Sequence, residues 1–412
     1  MGNPIGPKTA ELLIASLAAG HVPDEAALDE RHGVRFILRL ARALHTCGLP
    51  AHRLEAVLEG ACQQLGLKGQ FASTPTTITA GFGAEDEQRT YLLRVEPAGT
   101  NLDRLSGIDR VAVEVLRGTV RPSAGAERIE QLLAARGPYG DSLTALAFGV
   151  SSAAGAVILG GGLTEALVAG VIGLVIGVLA ILLGGRRTTD LVFEPVAATV
   201  AAVLAVAASH LVRPFAVPTA ILAGVIVLLP GYTMTLALTE LASRHLTSGT
   251  ARASSAVMTF LSIAFGVALG GAAAAQFFGE PLVRNAIPLP DWTLPLAVLL
   301  ASLAFVVVLK VGPRDAGWVV LAGLIAVGGS RLGAHLLGAE VGSFAGAMAV
   351  GVASNLFARL RDRPSLIMQV PGIILLVPGS IGFRSVTSLL DYEVVTGLET
   401  AVRMILIAIS LV

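Results

Sequence analysis

Residues 228–249 read LLPGYTMTLALTELASRHLTSG, and residues 376–397 read LVPGSIGFRSVTSLLDYEVVTG. Aligned without gaps at an offset of 148, they share Leu228/Leu376, Pro230/Pro378, Gly231/Gly379, Thr239/Thr387, Leu241/Leu389 and Gly249/Gly397, with Ser248 opposite Thr396. Each window lies in a long apolar stretch. Proline removes a backbone donor and clashes with the preceding turn, so a Pro-Gly pair inside an apolar helix predicts a break. In a bilayer the freed amides and carbonyls need partners, which protein or a water-filled cavity supplies.

The rest of the chain fits a membrane setting. The sequence is 54% hydrophobic and 14% charged, with a mean hydropathy of +0.76. Charge is concentrated at the front, where residues 1–141 hold 15 of the 29 Lys/Arg and 17 of the 29 Asp/Glu. Beyond them, ten apolar segments stand near 142–161, 163–183, 191–211, 215–241, 252–278, 293–310, 316–336, 339–357, 365–390 and 398–412. The last is shorter than the roughly 20 residues of a full span. The two windows fall in the fourth and ninth segments. Five is odd, so the windows cross the membrane in opposite senses, as in inverted-topology transporters. The predicted fold is a polytopic α-helical membrane protein, with about ten transmembrane helices as a 5+5 inverted repeat and an N-terminal soluble α+β domain. Its divisions are a tail at 1–32, the soluble domain at 33–141 and membrane halves at 142–278 and 293–412.

Loop charges orient it. Arg186, Arg187, Arg244, Arg252, Lys310, Arg314, Arg359, Arg361 and Arg363 fall on the side of the N-terminal domain, against Arg213, Arg284 and Arg331 opposite. The positive-inside tendency then predicts that the N-terminal domain and the C-terminus are both cytoplasmic. No secretory signal pattern opens the chain. Zero net charge gives no footprint for nucleic acid.

In the soluble part, helical periodicity spans 34–47 and 51–65. Short strand-like runs follow at 70–73, 76–82 and 90–95, with Glu85-Asp86-Glu87 as a turn, then helices near 105–116 and 126–135. Arg94, between Leu93 and Val95, reads as a buried structural cation. His45, Cys47, His52 and Cys62 lack metal-ligand spacing, so no metal, cofactor or catalytic residue is expected. An enzyme or sensor acting through residues 33–141 is the competing class.

The candidate binding residues cluster around the breaks: Pro230, Gly231, Tyr232, Thr233 and Thr235 in one copy, and Pro378, Gly379, Ser380, Arg384 and Ser385 in the other. A charge as deep as Arg384 points to function, here an anionic group. Glu240 is the candidate proton or cation partner, with pairing to Arg244 at i,i+4 as its structural alternative. His210 is a secondary proton-coupling candidate, and Glu165 suits the first turn of its helix.

At these residues the chain resembles the threonine/serine exporter family of bacterial amino-acid efflux carriers. The likeness rests on LRLARALHTCGLPAHRLEAVLEGACQQLGL (38–67), STPTTITAGF, RVEPAGTNLDRLSGID (94–109), LLPGYTMTLALTELASRHLTSGTAR and SNLFARLRDRPSLIMQVPGIILLVPGS (354–380). It implies export of threonine and serine across a bacterial inner membrane by proton-coupled antiport. The partners are then small amino acids, protons and the lipid bilayer. Export of another small solute is the nearest alternative.

Overall fold

The computed structural model describes residues 30–84, 86, 88–96, 99–184, 192–377, 379–390 and 393–412. The tail 1–29, Glu85, Glu87, Arg186, Arg187, Pro378 and Asp391 lie outside the described residues.

The N-terminal domain begins with α1 (Glu30–Thr46) and α2 (Ala51–Gln64). Phe36, Ile37, Leu40, Ala41 and Leu44 recur on one face of α1 and are buried, as their spacing requires. Gly48, at φ +87°, takes the left-handed turn that ends this helix. Strands β1 (Gly69–Thr74), β2 (Thr77–Phe82) and β3 (Arg89–Arg94) form an antiparallel sheet in the order β1-β2-β3. Two helices, α3 (Leu102–Leu116) and α4 (Pro122–Ala134), complete the domain, and the Asn101 side chain caps α3 by accepting from the Arg104 amide. Arg94 departs from the sequence reading. It is exposed at the end of β3, opposite Thr77, because the outward face of the pleat carries it.

The apolar remainder folds as α5 (Asp141–Ile158), α6 (Leu163–Leu183), α7 (Phe193–Leu211), α8 (Val217–Gly224), α9 (Gly231–Ala242), α10 (Leu246–Phe278), α11 (Thr293–Val308), α12 (Ala316–Leu337), α13 (Ala339–Arg361), α14 (Leu366–Leu376), α15 (Gly379–Leu390) and α16 (Val394–Ser410). Helix occupies each apolar segment. Among the described residues, seven helices are long and apolar enough to cross a membrane, eight if the bent pair of α8 and α9 is one span. With 16 residues, α11 rises about 24 Å, short of a 30 Å hydrocarbon core. Large apolar side chains such as Leu167, Phe265, Met348 and Leu406 cover the outside of the bundle, as a lipid-facing surface requires.

Small residues set the packing. A Cβ on Gly266 or Gly270 of α10 would strike the backbone of α7 at Pro195 and Thr199, so these helices approach through bare glycine. In the first half α6 packs on α5 and α7, α8 on α6 and α7, α7 on α10, and α9 on α10. In the second, α12 packs on α11 and α13, α14 on α12 and α13, α13 on α16, and α15 on α16. Across the halves, α9 meets α16 and α10 meets α15.

The N-terminal domain is bonded to one set of segments of the apolar remainder. The amides of Leu102 and Asp103 donate to the carbonyls of Leu309 and Lys310 at 3.1 and 3.0 Å. The Tyr139 hydroxyl donates to the Val311 carbonyl at 2.7 Å, and Arg363 to Ser106 at 2.7 Å. These segments adjoin loops whose charges were counted on the domain's own side.

Candidate functional site

The glycine of each Pro-Gly pair starts a helix. Leu229 (φ −64°, ψ 127°) and Val377 (φ −65°, ψ 133°) are extended, as residues before proline favour, and α9 and α15 begin at Gly231 and Gly379. The first break is broader than proline alone predicts. Helix α8 ends at Gly224, a 3₁₀ turn covers Ile226–Leu228, and the two parts meet at a bend of 51°. The second half carries a further proline, Pro371, inside α14.

The two helix starts touch. A Cβ placed on Gly231 would lie 2.9 Å from the Gly379 Cα and 3.0 Å from its nitrogen. One placed on Gly379 would lie 3.5 Å from the Gly231 Cα. Residues 148 apart in sequence thus meet backbone to backbone, with the positive ends of two helix dipoles close together.

One turn along α15 from Gly379, at Phe383, a cavity of about 450 Å³ opens between α8, α10 and α15. Its walls are Pro218, Thr219, Ile221, Leu222, Ala264, Val267, Ala268 and Phe383, with Arg384 and Thr387 completing it. Arg384 is its one charged lining residue, and the side chain is exposed. An apolar pocket with a single guanidinium and two hydroxyls suits a small carboxylate-bearing molecule. Thr219 was missed in the sequence because it precedes the break; only its place after Pro218, at the start of a helix, marked it out.

Glu240 lies elsewhere, at the far end of α9, and is fully buried. Its carboxylate accepts from the Ala51 amide at 2.9 Å, the Ser248 hydroxyl at 2.7 Å and Arg252 Nε at 3.0 Å. Arg244, the partner in the structural alternative, is not the one it takes. Arg244 sits at φ +65° in the turn after α9, and α10 folds back to bring Arg252 instead. Twelve residues separate Arg252 from Ala264 on α10, so about 18 Å of helix rise lies between this knot and the cavity.

The knot extends into the N-terminal domain. Arg53 donates to Gln369 at 3.1 Å, and Tyr232 lies within its electrostatic reach. His245 shares a hydrogen bond with Glu55 at 3.0 Å, and its ring centroid is 6.0 Å from that of His52. Burial, then the charges of Arg53 and His245, push the His52 imidazole down to about 4. Burial likewise lowers His45, which bonds the Thr74 carbonyl at 3.0 Å. Burial raises the Cys47 and Cys62 thiols to about 12 and leaves them unreactive.

The other candidates are dispersed. Thr235 donates to the Gly231 carbonyl at 3.3 Å and Ser385 to the Gly397 carbonyl at 2.6 Å, so both hydroxyls serve helix packing. Thr233 and Ser380 are half-buried near the junction. His210 shares a hydrogen bond with the Glu280 carbonyl at 3.1 Å and stacks on Phe278, at the end of α7. Glu165 does more than meet a helix dipole: it accepts from Gly162 at 2.9 Å and from the Ala216 amide, just before α8, at 2.8 Å.

Two family models match, both described as threonine/serine exporter, over residues 35–273 and 295–412. Among known proteins the chain is 26% identical to pheromone-regulated membrane protein 10 of Debaryomyces hansenii, with 87% of this chain and 37% of that protein covered. It is 27% identical to the protein of the same name from Saccharomyces cerevisiae (90% and 48% covered), and 25% identical to that of Eremothecium gossypii (93% and 52%). The chain thus spans about half or less of the length of these relatives, all of them fungal. No solved structure matches the chain.

Proposed function

Because the chain belongs to the threonine/serine exporter family, we propose that it exports threonine, serine and similar small neutral amino acids by proton-coupled antiport. The observation that carries this reading is the contact between Gly231 and Gly379. Two helices that start at one shared point can rock about it, and a site walled by α15 and the neighbouring α8 and α10 is then exposed to each side in turn.

In this reading the substrate occupies the cavity beside the contact. Its carboxylate pairs with Arg384, and its hydroxyl bonds with Thr219 or Thr387. The soluble domain, cytoplasmic by the charge rule, is the inner gate: it closes through Ala51 and Arg53 on Glu240 and Gln369. Glu240 is the proton carrier. Protonation weakens its hold on Arg252 and Ala51 together and frees the gate. His210, remote from this knot along the chain, is the secondary candidate.

We also propose that ten spans cross the bilayer as an inverted 5+5 repeat, and two sets of facts support it. The recurring helix partners of the halves pair in the same order. In addition, the start of α6 is tied to the segment before α8 through Thr164–Arg213 and Glu165–Ala216, while the start of α12 is tied to the segment before α14 through Asp315–Arg363. Efflux of a panel of labelled amino acids from reconstituted vesicles, with and without a proton uncoupler, tests substrate and coupling. Threonine and serine should leave fastest and the uncoupler should slow them; equal rates across the panel, or indifference to the uncoupler, would reject the reading.

A further inference from the structure

A large cavity of the N-terminal domain has no part in the transport reading. It is a groove of about 810 Å³ between α1 and β3. Arg31, Arg35, Arg39 and Arg42 line it from α1, at spacings of four, four and three that place them along one helix face. Arg89 joins them from β3, and among the described residues Glu30 is the one lining carboxylate. Glu130 stands outside the groove and pairs with Arg39.

The wall opposite α1 has a different chemistry. Arg89, Tyr91 and Leu93 alternate along β3, so they share one face of the pleat. Phe82 braces the Tyr91 ring edge-on, with centroids 5.8 Å apart, and holds it at the groove edge while the ring remains exposed. Guanidinium groups recognise phosphate through paired hydrogen bonds, and a fixed aromatic ring offers a stacking surface for a planar base. Neighbouring like charges repel, so five guanidinium groups around one open cleft favour a polyanion that neutralises them together.

We propose that this groove binds a nucleoside polyphosphate, with the phosphates along the α1 arginines and the base on Tyr91. Helix α1 carries the site to the membrane half. Thr46, at its far end, shares a cavity with Val308, Leu309 and Lys310, and His45 bonds the Thr74 carbonyl next to the Ser73–Glu55–His245 contacts. Occupancy of the groove therefore regulates the soluble domain's hold on the membrane half.

The test is calorimetric titration of the full chain in lipid nanodiscs with ATP, inorganic tripolyphosphate and AMP, and sedimentation with anionic phosphatidylglycerol vesicles. ATP should bind, at least tenfold tighter than AMP and severalfold tighter than tripolyphosphate. Arg35→Ala combined with Arg89→Ala should weaken ATP at least tenfold, and Tyr91→Ala should remove the advantage of ATP over tripolyphosphate. No ATP binding at millimolar concentration, equal affinity for ATP and tripolyphosphate, or vesicle binding that displaces ATP would overturn the proposal. Unchanged circular dichroism in the exposed variants Arg35→Ala and Arg89→Ala shows that a loss is not unfolding. No transport assay enters, so the result stands apart from the export reading.

Discussion

Gly231 and Gly379 lie against each other in a single orientation that is not symmetrical. The direction in which Gly231 would carry a side chain strikes Val377 Cγ1 first and then the backbone of its partner, 2.9 Å from the Cα, whereas that of Gly379 meets Leu229 Cβ at an ordinary 3.4 Å. Alanine is the better helix former by about 1 kcal/mol, so any loss at these positions reports crowding at the junction, by Val377 as well as by the partner glycine, and not propensity.

This asymmetry gives the first prediction. Gly231→Ala should cost about 1–3 kcal/mol, the range for overpacking, and reduce efflux at least tenfold. Gly379→Ala should fold and transport near the parent rate. Thermal melts and efflux of the two variants check it; equal effects would mean that the contact is not as tight as described.

A second prediction concerns the buried knot. Glu240→Gln leaves Arg252 without its carboxylate, and breaking a buried pair costs about 3–5 kcal/mol. Arg252→Ala should cost a similar amount, and the double variant should cost much less than the sum. Because Ala51 donates to the same carboxylate, protease access to the junction between α1 and α2 should rise in both variants. Additive losses with unchanged proteolysis would remove Glu240 from the interface.

The His52 imidazole sets a pH dependence. Its value falls from 6.5 when unfolded to about 4 when folded, so between these the unfolded chain binds more protons. Stability contributed by neutral His52 is complete above about pH 6.5 and is lost as pH falls toward 4. His45 shifts in the same direction and adds to it. In melts across this range, His52→Gln should flatten the acid-side decline; an identical slope would contradict the assignment.

Much of this was legible beforehand, and the reasons are physical. Long apolar runs can hardly be anything but helices in lipid, and a Pro-Gly pair announces a break within a run. Positions of the chain that lie far apart were not legible. Nothing around Ala51 says that its amide meets a carboxylate 189 residues later. Arg244 was the nearer guess for Glu240, and it failed because the turn after α9 reverses the chain. Thr219 was overlooked because the polar residues that drew attention follow the breaks, while the cavity is walled partly by what precedes them.

A fourth prediction uses that cavity. Cys47 and Cys62 are buried and keep their protons, which leaves a quiet background for thiol labelling. Thr219→Cys should react with a membrane-impermeant maleimide from the side opposite the soluble domain, and threonine should slow the reaction. Labelling from the domain side alone, or no protection by threonine, would displace the substrate from this pocket.

The most direct measurement is release of labelled threonine from vesicles that hold the purified chain, compared with its Arg384→Ala variant. Release by the parent should run well above that of protein-free vesicles, and the variant should lose at least tenfold with normal insertion and melting. Equal release by parent and variant, or parent release no faster than from empty vesicles, would contradict the export reading.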